Sequence, residues 1–410
     1  RSYDRSKVSW DEGWPTYLSR ATVACRSLNL RRIVIGGRLP NFKSHMDQLT
    51  IEEYIEQVLE KKIYDPVLTF QLGNGFVIKR ILKDYLPEDT ESQGYAALLE
   101  WSNPFYVRRS NQRMETSQRV RICVVQYEMR KILSFDDFAQ QCDFFVDIAH
   151  NYRADFVVFP EIFTLQLLSF LPKEAAEKSV RRLATFTDQY IQLFQALAIQ
   201  YDTNIVAGSH YTLENDNLYN IAYLFGRDGS IDKQYKLHVT PNERRWWGVT
   251  PGDELKIFKT DCGPVSIQIC YDIEFPEISR EATKRGATIF FSPFCTDERK
   301  GYLRVRYCAQ ARCVENQVYV AIAGTTGNIP SVENIDISYA QSAIFSPSDF
   351  DFARDGIVAE TSPNIETVVV GDVDLIALKR NRMIGTVRNW RDRRKDLYSV
   401  TFKEPEEGSS

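Results

Sequence analysis

The chain has 410 residues, with 51 Lys and Arg against 55 Asp and Glu, a net charge of −4. Its 43% hydrophobic and 26% charged residues describe a globular protein with more than one domain, or one large domain with an appendage. Near-balanced charge gives no case for nucleic acid or a membrane surface as partner. No apolar run approaches a membrane span, and the N-terminus lacks a signal-peptide pattern. The chain begins at Arg1 with no methionine, which leaves room for an upstream segment, a targeting sequence included.

In chain order, residues 30–36 read as a strand closed by Gly36-Gly37, and 51–60 as a helix. Asp65-Pro66 caps a short helix ending at Gly73-Asn74-Gly75, and 76–82 is a strand. Residues 104–118, polar and arginine-rich, read as a linker. An alternating α/β pattern follows. A strand at 121–126 leads to an amphipathic helix at 135–150, with Phe138, Cys142, Phe145 and Ala149 on one face. Then come a strand at 155–160, a long helix at 184–201, and strands at 204–208 and 220–225. Asp228-Gly229 suits a tight turn into a segment reaching Lys236. Beyond lie a strand ending at Cys270, a helix to 285, a strand at 288–291 and a helix at 304–316. Strands at 318–323 and 367–375 complete the set. The tail from Lys395 reads as disordered. The domains expected are 1–103, a linker at 104–118, a main domain at 119–388 and a tail at 389–410.

Three strand ends carry chemistry. The apolar run Val265-Ser266-Ile267-Gln268-Ile269 leads directly into Cys270, followed by a turn and a helix start. That layout sets a thiol beside backbone N–H groups, where a nucleophile and an oxyanion find support. Simple packing is the competing reading, since free cysteine is among the most buried residue types. A second apolar run ends at Glu161, and the segment after the hairpin ends at Lys236. The separations are 236 − 161 = 75 and 270 − 236 = 34 residues. In an alternating chain such ends can gather at one sheet edge. A Cys–His pair is the rival arrangement. Of the four histidines, His238 would share the face of Lys236 on a strand, which suits a supporting donor better than the base. The eight cysteines are scattered, with no C-x-x-C pair and no zinc-finger spacing. No metal is implied, and a reducing, cytoplasmic compartment is expected.

Phe159-Pro160-Glu161, Tyr235-Lys236-Leu237-His238 and Cys270-Tyr271-Asp272 through Phe275-Pro276-Glu277 together resemble the nitrilase, or carbon–nitrogen hydrolase, superfamily. Gly286-Ala287-Thr288-Ile289 before Ser292-Pro293, and Arg312-Cys313-Val314-Glu315-Asn316 before Val318-Tyr319-Val320, resemble it too. The resemblance implies an α/β fold, a four-layer α-β-β-α sandwich, and a Glu–Lys–Cys triad. Carried over, Glu161 is the general base, Lys236 the oxyanion partner and Cys270 the nucleophile, with the Tyr271 N–H as a further oxyanion donor. Glu243 matches a second glutamate that orients the lysine or the substrate; a surface carboxylate in a polar loop is the alternative. Loops near Phe163, Trp246, Trp247 and Cys295 shape the pocket. Phe294, Cys295 and Thr296, just past a strand end, line it or form a structural loop. The implied activity is hydrolysis of a small linear carboxamide in preference to a nitrile, with no cofactor, by a homodimer or larger homo-oligomer.

Asp65-Pro66-Val67-Leu68-Thr69-Phe70 with Asn74-Gly75-Phe76 resembles the C-terminal half of a GNAT acetyltransferase domain, and GNAT–nitrilase fusions form a branch of the superfamily. The expected architecture is therefore a partial GNAT-like α/β domain preceding the sandwich. Where that family holds pyrophosphate on a glycine-rich basic loop, this chain has Trp10-Asp11-Glu12-Gly13-Trp14-Pro15, with one glycine and two acids. Acetyl transfer and a non-catalytic scaffold are the alternative functions, and a docking or oligomerisation role suits the remnant.

Overall fold

The computed structural model describes residues 22, 25, 30–103, 119–330, 332 and 337–402. The stretches 10–20, 104–118 and 403–410, on which the CoA-loop, linker and end-of-tail readings fall, lie outside the described residues. The chain divides into two compact units, 1–111 and 112–410.

In the first unit, β1 (Arg32–Arg38) is followed by α1 (Ile51–Leu59), α2 (Pro66–Gly73), β2 (Val77–Leu82) and β3 (Ala96–Ser102). Thr50 and Glu53 form a capping box on α1, and the Asp65 carboxylate caps α2 ahead of Pro66. The sheet order is β1-β3-β2, antiparallel throughout. Gly36-Gly37 does not close β1; the strand runs through both glycines. A Cβ at Gly37 would lie 2.2 Å from Gln71 Oε1, so the glycine permits a close approach. The central strand β3 carries no strand signal in the sequence, because Ala96-Ala97-Leu98-Leu99 shows no polar–apolar alternation when most of its residues are buried.

In the second unit the elements are β4 (Arg119–Met129), α3 (Phe135–Asn151), β5 (Phe156–Val158), α4 (Ala176–Leu183), α5 (Thr187–Gln200), β6 (Asn204–Glu214), β7 (Asn217–Phe225) and β8 (Ile231–Tyr235). They continue with β9 (Phe258–Thr260), β10 (Gly263–Ile267), α6 (Pro276–Lys284), β11 (Ile289–Phe294), α7 (Arg299–Asn316) and β12 (Tyr319–Gly327). The last are β13 (Ala343–Phe345), β14 (Ile357–Glu360), β15 (Thr367–Asp374) and α8 (Leu375–Ile384). The strand path is β8-β7-β6-β5-β4-β12-β11-β10-β9, with β15 antiparallel on β4.

Alternation along β4 shows how the layers stack. Val120, Ile122 and Val124 share a core with Val265, Ile267, Ile289 and Phe291 of β10 and β11. Cys123, Val125 and Tyr127 face the other way, onto Phe138, Cys142 and Phe145 of α3 and Phe194 of α5. Sheet thus packs on sheet, with the Phe156 and Phe291 rings 4.9 Å apart. Ile278, Ala282, Val305 and Ala309 of α6 and α7 join the core of the second sheet. The order is helices, sheet, sheet, helices.

The helix read at 184–201 begins only at Thr187, after a 3-10 turn at Ala184–Phe186, and α4 precedes it. From 395 to 402 the tail is placed, with Leu397 and Tyr398 N–H groups on the Arg394 carbonyl and Arg285 over the Phe402 ring. No helix among the described residues is long and apolar enough to cross a membrane.

Candidate active site

Cys270 sits three residues beyond the end of β10, where the Gln268 N–H still donates to the Phe291 carbonyl at 2.9 Å. Its φ of +47° is left-handed, a conformation that costs a non-glycine residue about 1–3 kcal/mol and gathers at functional sites. The 3-10 turn Cys270–Glu274 follows, then Pro276 opens α6. Buried Asp272 fixes this elbow. Its carboxylate accepts from the N–H groups of Ile269 (3.2 Å), Leu237 (3.3 Å) and His238 (2.7 Å), and contacts His238 Nδ1 at 2.9 Å. The turn bearing Cys270 is thereby tied to the segment bearing Lys236.

Glu161 lies just past β5, in a loop shaped by β6. Gly208, at φ +66°, passes so close that a Cβ there would stand 1.8 Å from the Pro160 carbonyl oxygen. Next to it, Ser209 Oγ accepts the Ile162 N–H at 3.1 Å. Lys236 directly follows β8, held where its N–H meets the Asn220 carbonyl at 2.9 Å. Because β8 ends at Tyr235, His238 does not share a strand face with Lys236; it reaches the site through Asp272, its ring stacked on Phe275 at 3.7 Å.

Lys236 Nζ donates to Glu161 Oε1 at 2.8 Å and to Glu243 Oε2 at 2.6 Å. All three side chains are buried. The surface reading of Glu243 is therefore corrected. The Thr240 hydroxyl accepts the Glu243 N–H at 3.2 Å, and the Thr240 N–H and hydroxyl hold Glu243 Oε2 inward at 3.0 and 2.9 Å. Glu243 Oε1 accepts from Asn220 Nδ2 (2.9 Å) and Tyr211 OH (3.3 Å). Glu161 has fewer donors: Lys236, Asn220 at 3.0 Å, and the Cys295 N–H at 3.0 Å.

That difference separates the two carboxylates. Burial pushes both up and Lys236 pulls both down. In Glu161 burial wins, aided by repulsion from Glu243, and the carboxyl sits above its ordinary value. In Glu243 the lysine, Asn220 and the Thr240 N–H overcome burial, and it sits below. Burial would lower Lys236, but the two carboxylates outweigh it and hold the ammonium charged. Burial and then Glu161 raise the Cys270 thiol, against a smaller pull from Lys236, so the resting sulfur is protonated. Its S–H points to the Cys295 carbonyl at 3.9 Å.

These groups meet in a cavity of about 770 Å³ whose lining includes Glu161, Lys236, Glu243, Cys270, Tyr271, Trp246, Trp247, Cys295 and Thr296. Phe163 and Phe294 do not line it. Phe163 is wholly buried among Tyr127, Phe138 and Phe159, and Phe294, the last residue of β11, packs on Tyr302. Cys295 contributes through its backbone, which holds Glu161. Ion pairing between Glu274 and Arg304 at 3.5 Å lies on the cavity wall. No group of three or more His, Cys, Asp or Glu able to hold a metal ion occurs among the described residues. Sequence reasoning does not single out Asn220 or Asp272 as site residues; for Asn220 the available signal is an asparagine set between Leu218-Tyr219 and the apolar run Ile221-Ala222-Tyr223.

The carbon-nitrogen hydrolase family profile matches residues 121–382, and the chain belongs to that family. It is a hydrolase of the nitrilase superfamily. It is 56% identical over 402 residues to a protein of Bacillus subtilis described as probable hydrolase YhcX, covering 98% of this chain and 77% of that one. The omega-amidase NIT2 of Xenopus tropicalis is 27% identical over 293 residues, 70% of this chain and 99% of the other. Among solved structures, Nit3 of Saccharomyces cerevisiae, a nitrilase-superfamily member, superposes with a TM-score of 0.53 at 25% identity, over 65% of this chain and 93% of that one.

Proposed function

We infer that the enzyme hydrolyses the carbon–nitrogen bond of a small linear carboxamide through a thioester on Cys270. The observation that carries this is the meeting of the Cys270 thiol, a raised Glu161 carboxyl and the Lys236 ammonium in one buried cavity. Glu161 takes the thiol proton as sulfur attacks the carbonyl carbon, and the carbonyl π pair moves onto oxygen. Lys236 Nζ and the Tyr271 N–H stabilise that oxyanion, while Glu243 keeps Lys236 charged and aimed. The tetrahedral adduct collapses with cleavage of C–N, and Glu161 delivers its proton to the departing nitrogen. Water, deprotonated by Glu161, then attacks the thioester; C–S breaks and the thiol regains its proton.

An amide is favoured over a nitrile because the omega-amidase relatives act, by their description, on amides. A scaffold reading is opposed by the cost of burying a lysine between two carboxylates, which packing alone does not require. For the first unit we propose a GNAT-like remnant with a docking or oligomerisation role and not acetyl transfer, because Trp10-Asp11-Glu12-Gly13-Trp14-Pro15 lacks the glycine-rich basic sequence of a phosphate loop. Cys270→Ala should abolish ammonia or amine release with the fold retained. Glu161→Gln should lower kcat by about 10²–10⁴. Unchanged turnover in either folded variant refutes the assignment.

A further inference from the structure

We propose that Asn220 is a positioning residue that shares one amide between the two carboxylates and keeps Glu161 ionised as the working base. Its Nδ2 donates to Glu161 Oε1 at 3.0 Å and to Glu243 Oε1 at 2.9 Å. Both N–H bonds are thus committed, one to each acid. The same side chain leaves its own Oδ1 buried with no protein hydrogen-bond partner among the described residues. An unpaired buried carbonyl is a destabilising feature, and an asparagine chosen for sheet stability alone would not retain it. Turning the amide over would set oxygen against two carboxylates, so the orientation follows from the charges it serves.

The backbone places this amide with little freedom. Asn220 pairs across the sheet with Tyr211, whose hydroxyl reaches the same Glu243 oxygen, and its carbonyl receives the Lys236 N–H. Facing the two carboxylates are the Lys236 ammonium, the Tyr211 hydroxyl, Thr240, and the Cys270 and Cys295 thiols. Among the described residues, Lys236 and Asn220 are the two side chains that donate to both acids. Lys236 supplies charge; Asn220 supplies a fixed spacing and a second donor to each anion. A donor to the ionised form lowers a carboxyl pKa, so its loss raises that of Glu161.

This inference rests on Glu161 as the base, and its test needs no amide substrate. The rate of Cys270 alkylation by iodoacetamide is followed by intact mass against pH in the full chain, with Cys270→Ala as blank. In Asn220→Leu the midpoint of the acid limb should rise by about one pH unit. Asn220→Ser, which keeps one hydroxyl donor, should show a rise of about half a unit, and it decides the matter if the leucine variant does not fold. A uniformly slower reaction with an unmoved midpoint in the folded variant overturns the proposal and leaves Asn220 a structural bridge. Failure of the wild-type enzyme on every amide would instead count against the amidase reading and leave this midpoint readable.

Discussion

Lys236 is buried at the cavity wall between two acids, and its charge is what allows two carboxylates to be buried within reach of one another. Lys236→Met removes the cation and keeps most of the volume. It should end turnover and cost about 3–5 kcal/mol, because buried charge is left uncompensated. The sign of its pH dependence follows. Without the ammonium, Glu161 and Glu243 are carboxyls with raised pKa values in the fold, so protons stabilise the native state. The deficit against wild type should shrink as pH falls from about 7.5 to about 5, read from urea midpoints. A deficit that stays constant over that range would show that the loss is one of packing.

At the scale of elements, the site depends on backbone positions that only small or distorted residues permit. Gly208 is the sharpest case, since a methyl group there runs into the Pro160 carbonyl beside Glu161. Gly208→Ala should cost about 3 kcal/mol or more and displace Glu161 enough to slow Cys270 alkylation. Gly73→Ala, at the end of α2 with nothing within 4 Å of the added atom, is the control and should leave both readings unchanged. The same elements show what the sequence could reveal. Glu161 and Cys270 stand out because each ends an apolar run, and Lys236 because it closes the segment after the Asp228-Gly229 turn; strand ends converge in an alternating chain. Glu243 is legible only through the family resemblance, because a turn of polar residues looks solvated until Thr240 is seen to pull its carboxylate inward. Phe163 and Phe294 lie beside pocket residues in the chain, yet neighbouring residues of a strand or turn face opposite ways.

For the molecule as a whole, acid tolerance is set in part by a histidine far from any catalytic duty. His210 of β6 is wholly buried between the Thr164 and Thr187 hydroxyls, 2.9 and 3.1 Å away, and stacked on Tyr190. Burial lowers its pKa to about 3. The unfolded chain binds a proton there below about pH 6.5 while the folded chain does not, so stability falls as pH drops from about 6.5 towards 3. His210→Gln removes that slope. The stability gap between wild type and variant, measured with denaturant, should narrow by about 2 kcal/mol between about pH 6.5 and 5. Parallel profiles would mean that His210 is not held neutral by the fold. The layered order of the second unit was readable from the alternation of its strands and helices. The division of α4 from α5 was not, since α4 buries only Val180 and Leu183 and reads as polar.

The most direct test of the account is intact-mass spectrometry of the enzyme mixed with a panel of small linear amides, wild type beside Cys270→Ala. The account predicts an acyl adduct on wild type, with ammonia or amine released, and neither in the variant. Turnover or an adduct that survives in Cys270→Ala would contradict it, placing the covalent chemistry on another residue.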